Sequence, residues 1–502
     1  MVSHVTTATV VGLEAEVVEV EADITNGLPA TVIVGLPDMA VQESKERVKS
    51  ALKNSDCKYP QTRVSINLAP ADTQKIGTHF DVPIALAIVL AAGDADFSVD
   101  GKWFLGELSL DGVVRPVPGV LAIALKAQEL AVGELYVPAS NAKEAALVRG
   151  IKVYPVHTFR ELIGHLLGVA LIQMQEETDL VALRVEEKLG LDMKDVSGQE
   201  TAKRALEVAA SGGHNVLMSG PPGSGKTLLA RALSGLLPAM ELSETLELTK
   251  IYSIAGQLPG SGVVVERPVR SPHHTTSSVA LVGGGSSPKP GEITLSHRGV
   301  LFMDELPEFP RNVLEALRQP LEDGVVTVSR AKNTFTFPAK FILVAALNPC
   351  ACGYFGDNTK RCVCTPSQVF KYQKRLSGPL LDRIDLHIDV PRLSYEKMSE
   401  DPKAESSAEV RGRVERARGI QRARLGGART NSEMNVVEIR KFCKLGSTES
   451  EILAFATTKY NLSGRSIHRL LKIARTIADL AGLENISKDN LAEALQYRPK
   501  TD

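Results

Sequence analysis

Eight consecutive residues, Gly220, Pro221, Pro222, Gly223, Ser224, Gly225, Lys226 and Thr227, fit the pattern G-x-x-x-x-G-K-[ST]. That spacing builds a phosphate cradle. Glycines let successive backbone N–H groups turn toward phosphate oxygens, and a helix starting at the loop adds its positive N-terminal dipole. Lys226 would neutralise the β- and γ-phosphates of ATP, and the Thr227 hydroxyl would hold Mg²⁺. An acidic pair, Asp304 and Glu305, ends the apolar run 299–303. Asp304 would share the Mg²⁺ and Glu305 would polarise an attacking water. Asn348 ends a second apolar run, 341–347, where it could orient that water. Two arginines, Arg383 and Arg465, could stabilise charge on the γ-phosphate, because a guanidinium is planar and permanently charged. Taken singly, each is equally an ion-pair partner; the phosphate loop gives them their context.

A second constellation is sulfur-based. Four of the six cysteines are Cys350, Cys352, Cys362 and Cys364, two C-x-C pairs separated by nine residues. Four thiolates on a Gly/Asn/Asp loop can close a tetrahedral Zn²⁺ site, with free thiols or redox pairs as the alternatives. Cys57 and Cys443 stand alone and read as ordinary packing residues.

These groups need elements to hold them. Residues 215–219 read as a buried strand entering the phosphate loop, and 228–237 as a helix stopped by Pro238. The runs before Asp304 and Asn348 read as further buried strands. Ahead of this block, 1–168 alternates strand-like segments (30–34, 63–67) with helix-like ones (41–53, 82–92), an α/β pattern. A polar stretch over 169–189 reads as a linker, 190–395 as the nucleotide domain, and 396–502 as helical. In the last block Ile467, Leu470, Leu471, Ala474 and Ile477 share one helical face, with Ser463 as a cap and Gly482 as a stop. A basic run, Arg411, Arg413, Arg416, Arg418, Arg422 and Arg424, reads as a solvated helix face or as a phosphate-contacting one.

Composition bounds the partners. Net charge is −1, so DNA contact must come from local patches rather than a globally basic surface. Aromatics are 5% with one tryptophan, against base stacking as the main binding mode. No apolar stretch is long enough to span a bilayer and no secretory pattern opens the chain, so a cytoplasmic protein without membrane partners is expected.

The chain resembles the magnesium-chelatase-like AAA+ ATPases, and within them the bacterial ComM/YifB group. The resemblance rests on the phosphate loop, the segment 299–305, Leu347 to Pro349 and 380–385. It rests further on the ComM/YifB-type segments 270–275, 280–285, 290–293, 314–323 and 377–383, and it covers essentially the whole chain. It implies a central AAA+ α/β domain with a parallel sheet, a C-terminal helical lid and a homo-hexameric ring with ATP at subunit interfaces. By the same resemblance Arg383 would be the arginine finger, Arg465 sensor 2 and Asn348 sensor 1, with an insertion over 254–292. A hairpin over 325–337 would face the pore and offer Arg330 and Lys332 as candidate DNA contacts. Residues 1–168 resemble the Lon protease fold. There His79 stands where that family has its serine, and the lysine position falls near Val117, so no peptidase activity is expected. The group is associated with helicase and branch-migration activity on single-stranded or branched DNA, alongside recombination proteins in natural transformation. A chelatase motor subunit and a Lon-like protein-remodelling ATPase are the alternatives.

Overall fold

The computed structural model describes residues 2–185, 191–285, 288–329, 334–357, 360–393 and 405–499. The chain divides into two compact units. One comprises Met1–Glu186 with Thr245–Val265, the other Glu187–Glu244 with Glu266–Asp502.

The first unit is built on seven strands: β1 (Ser3–Val11), β2 (Glu14–Thr25), β3 (Ala30–Val34), β4 (Arg63–Ala69), β5 (Lys102–Phe104), β6 (Glu134–Pro138) and β7 (Lys152–Val156). Their order is β3-β4-β2-β1-β5-β6-β7. Only the β1/β2 and β2/β4 pairs are antiparallel. Side chains alternate across the strands. Val18, Val20 and Ala22 enter one core and Ala15 and Val17 the other, just as Phe104 and Trp103 divide. Both faces of the sheet are therefore covered. Helix α1 (Met39–Asn54) starts where the Asp38 carboxylate accepts from the Val41 N–H at 2.8 Å. Helix α2 (Asp81–Ala92) is apolar all round, and every residue from Asp81 to Val89 is buried. Helix α3 (Val120–Glu129) packs in the other core with Trp103, Val263 and Val265. His79 is buried against Phe80, ring centroids 4.1 Å apart, and burial pushes its pKa down to about 4. Lys75 donates to the carbonyls of Pro70 and Thr73.

The second unit holds a five-stranded parallel sheet of β8 (Val216–Ser219), β9 (Val269–Arg270), β10 (Val300–Met303), β13 (Ile342–Leu347) and β14 (Leu386–Asp389). Its order is β9-β10-β13-β8-β14. A separate ribbon pairs β11 (Val325–Ser329) with β12 (Thr334–Pro338). This is the hairpin expected over 325–337; its candidate DNA contacts Arg330 and Lys332 lie outside the described residues. Helix α4 (Glu200–Gly212) precedes β8, and α5 (Lys226–Ala232) leaves the phosphate loop, continuing as a 3₁₀ turn to Leu236.

The C-terminal helices are α6 (Ser407–Leu425), α7 (Val436–Phe442), α8 (Ser447–Tyr460), α9 (Gly464–Leu480) and α10 (Lys488–Gln496). Ser463 caps α9 by accepting from the Ser466 N–H, and Gly482 follows with φ +69°. Val410, Val414, Ile473 and Ile477 share one core with Val216, Phe302 and Val344 of the sheet.

The arginine run on α6 is neither a solvated face nor a free phosphate-binding one. Arg411 donates to the Gly235 carbonyl and Arg418 to the Ala210 carbonyl, both at 3.0 Å or less. Arg413 pairs with Glu207 and Glu405, Arg422 with Glu241, and Arg424 with Asp479. Five of the six arginines thus fasten α6 to its surroundings, and Arg416 is exposed. A long side chain with five donors can satisfy carbonyls at helix ends that no hydrophobic residue could.

Candidate nucleotide site

In a parallel sheet, ligands gather at the carboxyl ends of the strands. Three sequence motifs leave those ends here. The phosphate loop follows β8, Asp304 and Glu305 follow β10, and Asn348 follows β13. Register brings them together: Ser219 lies beside Leu347 on one side and Asp389 on the other. The loop approaches the next strand closely. A Cβ on Gly220 would sit 2.1 Å from the Val390 carbonyl oxygen, so only glycine fits there.

Lys226 is buried and points into the loop. Its Nζ donates to the carbonyls of Gly220 (2.7 Å) and Pro221 (2.9 Å) and to Asn348 Oδ1 (3.2 Å). Burial pushes its pKa down, while Asp304 and Glu305 pull the other way. The Thr227 hydroxyl donates to Asp304 Oδ2 at 2.9 Å. The Glu305 N–H is bonded to Asp304 Oδ1 at 3.0 Å, and Glu305 itself sits at φ +52°. For a side chain other than glycine that left-handed conformation costs about 1 kcal/mol or more. It turns the Glu305 carboxylate outward, 3.7 Å from His274 Nδ1. Ser224 Oγ is buried without a hydrogen-bond partner among the described residues. A cationic amine, an orphaned hydroxyl and an adjacent hydroxyl–carboxylate pair are the donor set a Mg²⁺-triphosphate requires, so the residues fit that group.

Gln199 has no motif to announce it. It adopts φ +59° just before α4, and its Nε2 donates to the Pro391 carbonyl (2.7 Å) and the Ser224 carbonyl (3.3 Å). It ties the phosphate loop to the end of β14.

The two arginines lie elsewhere. Arg383 and Arg465 each donate an Nη2 to a different oxygen of one carboxylate, Glu322, which holds that carboxyl below its usual range. Arg383 Nη1 also donates to the Pro379 carbonyl at 2.6 Å. Asn215 Nδ2 bonds the Arg383 carbonyl at 3.1 Å, which fixes Arg383 at the amino ends of the strands, opposite the phosphate loop. Glu322 and His274 lie inside the family-typical segments 314–323 and 270–275, but nothing in those segments gives them a role.

The cysteines do come together. Sulfur–sulfur distances are 3.4 Å (Cys350–Cys352), 3.5 Å (Cys352–Cys362) and 3.7 Å (Cys350–Cys362), and all four sulfurs, Cys364 included, lie within 4.8 Å of one another. Disulfide sulfurs would be about 2.05 Å apart. Sulfurs 2.3 Å from a central Zn²⁺ form a tetrahedron with edges of about 3.8 Å, close to the observed separations. Backbone N–H groups address the sulfurs: those of Tyr354 and Val363 point to Cys352, that of Cys364 to Cys362 and that of Cys352 to Cys364. The donor set fits zinc.

A phosphate loop, an acidic strand end and a polar strand end on one parallel sheet, packed with a helical lid, define an AAA+ ATPase. The description "Magnesium chelatase, subunit ChlI" matches residues 192–398, "Subunit ChlI of Mg-chelatase" residues 20–141, and "Magnesium chelatase, subunit ChlI C-terminal" residues 404–498. Competence protein ComM of Haemophilus influenzae is 44% identical over 492 residues, 97% of this chain and 95% of that protein. YifB of Escherichia coli is 41% identical over 498 residues, 99% of this chain and 97% of that protein. The magnesium-chelatase 38 kDa subunit of Cereibacter sphaeroides is 28% identical over 173 residues, 31% of this chain and 51% of that protein. The chain belongs to the ComM/YifB family of magnesium-chelatase-like AAA+ ATPases. Among the described residues no helix is long and apolar enough to cross a membrane.

Proposed function

We propose that the chain forms a cytoplasmic homo-hexameric ring that hydrolyses ATP to translocate on single-stranded or branched DNA, as a helicase or branch-migration factor. The observation that carries the ring is the separation of parts. Lys226, Thr227, Asp304 and Asn348 gather at one end of the sheet, while Arg383 and Arg465 share Glu322 at the other. A hydrolysis site that needs a guanidinium is then completed by a neighbouring subunit. The DNA assignment is supported by the relative named a competence protein, and by family resemblance it extends to recombination proteins in natural transformation.

In this reading the loop N–H groups and Lys226 hold the phosphates, and Thr227 and Asp304 hold Mg²⁺. Bound there, Mg²⁺ would supply neutralisation of the phosphate charge. Lys226 exchanges its carbonyl partners for phosphate oxygens. Glu305 takes up the proton of the attacking water, and Asn348 orients that water. Residues 1–168, by resemblance to the Lon fold, serve as a scaffold or as a DNA- or partner-binding domain without a peptidase dyad.

The test is ATP hydrolysis with and without single-stranded and four-way-junction DNA, with Lys226→Ala and Glu305→Gln as controls. Stimulation by DNA that both variants abolish is expected. Hydrolysis indifferent to every DNA would overturn the DNA assignment and favour a chelatase motor, which the three chelatase descriptions also accommodate.

The four cysteines we assign to one structural Zn²⁺ on the loop that follows Asn348. Metal analysis of the purified chain should return about one zinc per chain.

A further inference from the structure

The cysteine loop does not stand apart from the nucleotide site; it touches it at two places. Its first ligand, Cys350, comes two residues after Asn348, whose Oδ1 accepts from Lys226 Nζ at 3.2 Å. The second contact is tighter. Gly353, between Cys352 and Tyr354, has φ +86° and lies flat against the phosphate loop: a Cβ there would be 2.6 Å from Pro222 Cδ and 2.7 Å from Pro222 Cγ. The Gly353 N–H closes a turn on the Cys350 carbonyl at 2.9 Å. The geometry of that turn is therefore fixed by the same residues that converge on the sulfur tetrahedron.

Among its described residues, the rest of the loop has little else to hold it. Cys350 is buried, but Cys352, Cys362 and Cys364 are only half-buried, and Tyr354 and Phe355 add no residue to the core of the unit. A segment of this length without a hydrophobic anchor or a regular ladder needs a cross-link to keep one conformation.

We propose that the Cys350–Cys364 loop is a zinc clasp that holds Gly353 against Pro222 and Asn348 against Lys226, so that nucleotide affinity depends on zinc at a site distinct from the Mg²⁺ site. The inference rests on the assignment of zinc to these cysteines. The clasp is a positioning device: it touches neither ATP nor water, and acts through the shape of the phosphate loop.

The experiment measures zinc content and equilibrium binding of a fluorescent ATP analogue on the same full-length samples. The protein is compared as purified, after treatment with a zinc chelator followed by desalting into excess Mg²⁺, and after re-addition of Zn²⁺. A Gly353→Ala variant runs alongside; it keeps all four ligands, sets a Cβ against Pro222 and strains the left-handed turn that presents residue 353 to the phosphate loop. Depletion is expected to weaken binding about tenfold or more, with recovery on adding Zn²⁺. The Gly353→Ala variant should retain its zinc and its far-ultraviolet circular dichroism yet bind the analogue several-fold more weakly. Zinc-free protein as purified would overturn the metal assignment. Zinc-loaded protein whose affinity is unchanged by depletion, and unchanged in Gly353→Ala, would overturn the clasp and leave the metal assignment standing.

Discussion

Arg383 is placed where it cannot serve its own nucleotide. Asn215 Nδ2 bonds its carbonyl at 3.1 Å, and the strand Val216–Ser219 then separates Asn215 from Gly220. At 3.3 Å per residue the five steps from Asn215 to Gly220 span about 16 Å. An arginine side chain reaches about 7 Å from its Cα. If Arg383 supplies transition-state charge, it does so for a neighbour. Arg383→Ala should then lower kcat by about 10³-fold or more, the usual weight of an arginine finger. Lys226→Ala should be equally inactive because its own phosphate loop is crippled. Mixing the two dead variants gives the decisive result. An interface that takes its phosphate loop from an Arg383→Ala chain and its arginine from a Lys226→Ala chain is complete. In an equimolar random ring about a quarter of the interfaces have that composition. ATPase activity should therefore rise from background to about a quarter of wild type if interfaces act independently, and less if they act in concert. Differently tagged variants establish that mixed rings form. Mixed rings with no activity above either parent would refute the assignment of Arg383 to the neighbouring site.

Glu305→Gln should bind ATP as well as the parent chain while kcat falls by about 10²–10⁴, the range for loss of a general base; analogue binding and single-turnover hydrolysis separate the two effects. In the first unit, Glu144 is buried, accepts from Asn141 Nδ2 (2.5 Å) and the Leu121 N–H (3.3 Å), and burial raises its pKa from 4.5 to about 7. Its proton is thus held more tightly in the folded chain, so its contribution to stability is full below about pH 4.5 and is lost as pH rises through 7. At roughly 1.4 kcal/mol per pH unit, that loss is up to about 3 kcal/mol. Denaturant titrations at pH 5 and 8 should show this slope in the parent chain and a shallower one in Glu144→Gln. Asp479 is fully buried between Arg424 and Arg475. Arg424→Ala removes one of its two cations and should destabilise the second unit by about 3 kcal/mol, read as a lower urea midpoint; a change below 0.5 kcal/mol would contradict the pairing.

How much of this was legible in the sequence follows from what each feature depends on. The strands before the phosphate loop, before Asp304 and before Asn348 are short apolar runs ending in polar residues, and they fall within one residue of their expected bounds. A motif's local chemistry is written in consecutive residues. The antiparallel pair β1 and β2 is harder to read, because the run of Glu14–Thr25 changes which core its small residues enter, at Val17 and Val18. The roles of Gln199, Glu322 and His274 are not legible for another reason, although the last two lie inside the family-typical segments 314–323 and 270–275. Each acts on a residue 25 or more positions away, and nothing in its neighbours shows that the fold will bring the two together. Charge spacing along α6 describes the helix alone, whereas its arginines find their partners at Glu207, Ala210, Gly235, Glu241 and Asp479, all distant in sequence.

Glu322 closes the argument about assembly. Two cations on one carboxylate make a stable resting arrangement for a chain without a neighbour; Glu322 and Arg465 are half-exposed, so their contact contributes only about 1 kcal/mol, whereas the Arg383 side chain is mostly covered. A triphosphate presents more negative charge than one carboxylate and accepts bidentate contacts from both guanidiniums. A neighbouring nucleotide therefore draws Arg465 off Glu322 at little cost, and its greater charge offsets the contact that Arg383 gives up. Glu322→Gln should weaken that resting arrangement and leave the fold intact. ATP-dependent assembly, followed by light scattering, is then expected at lower nucleotide concentration than in the parent chain. Assembly that needs more nucleotide in Glu322→Gln would mean that Glu322 orients the arginines toward the neighbour rather than competing with it.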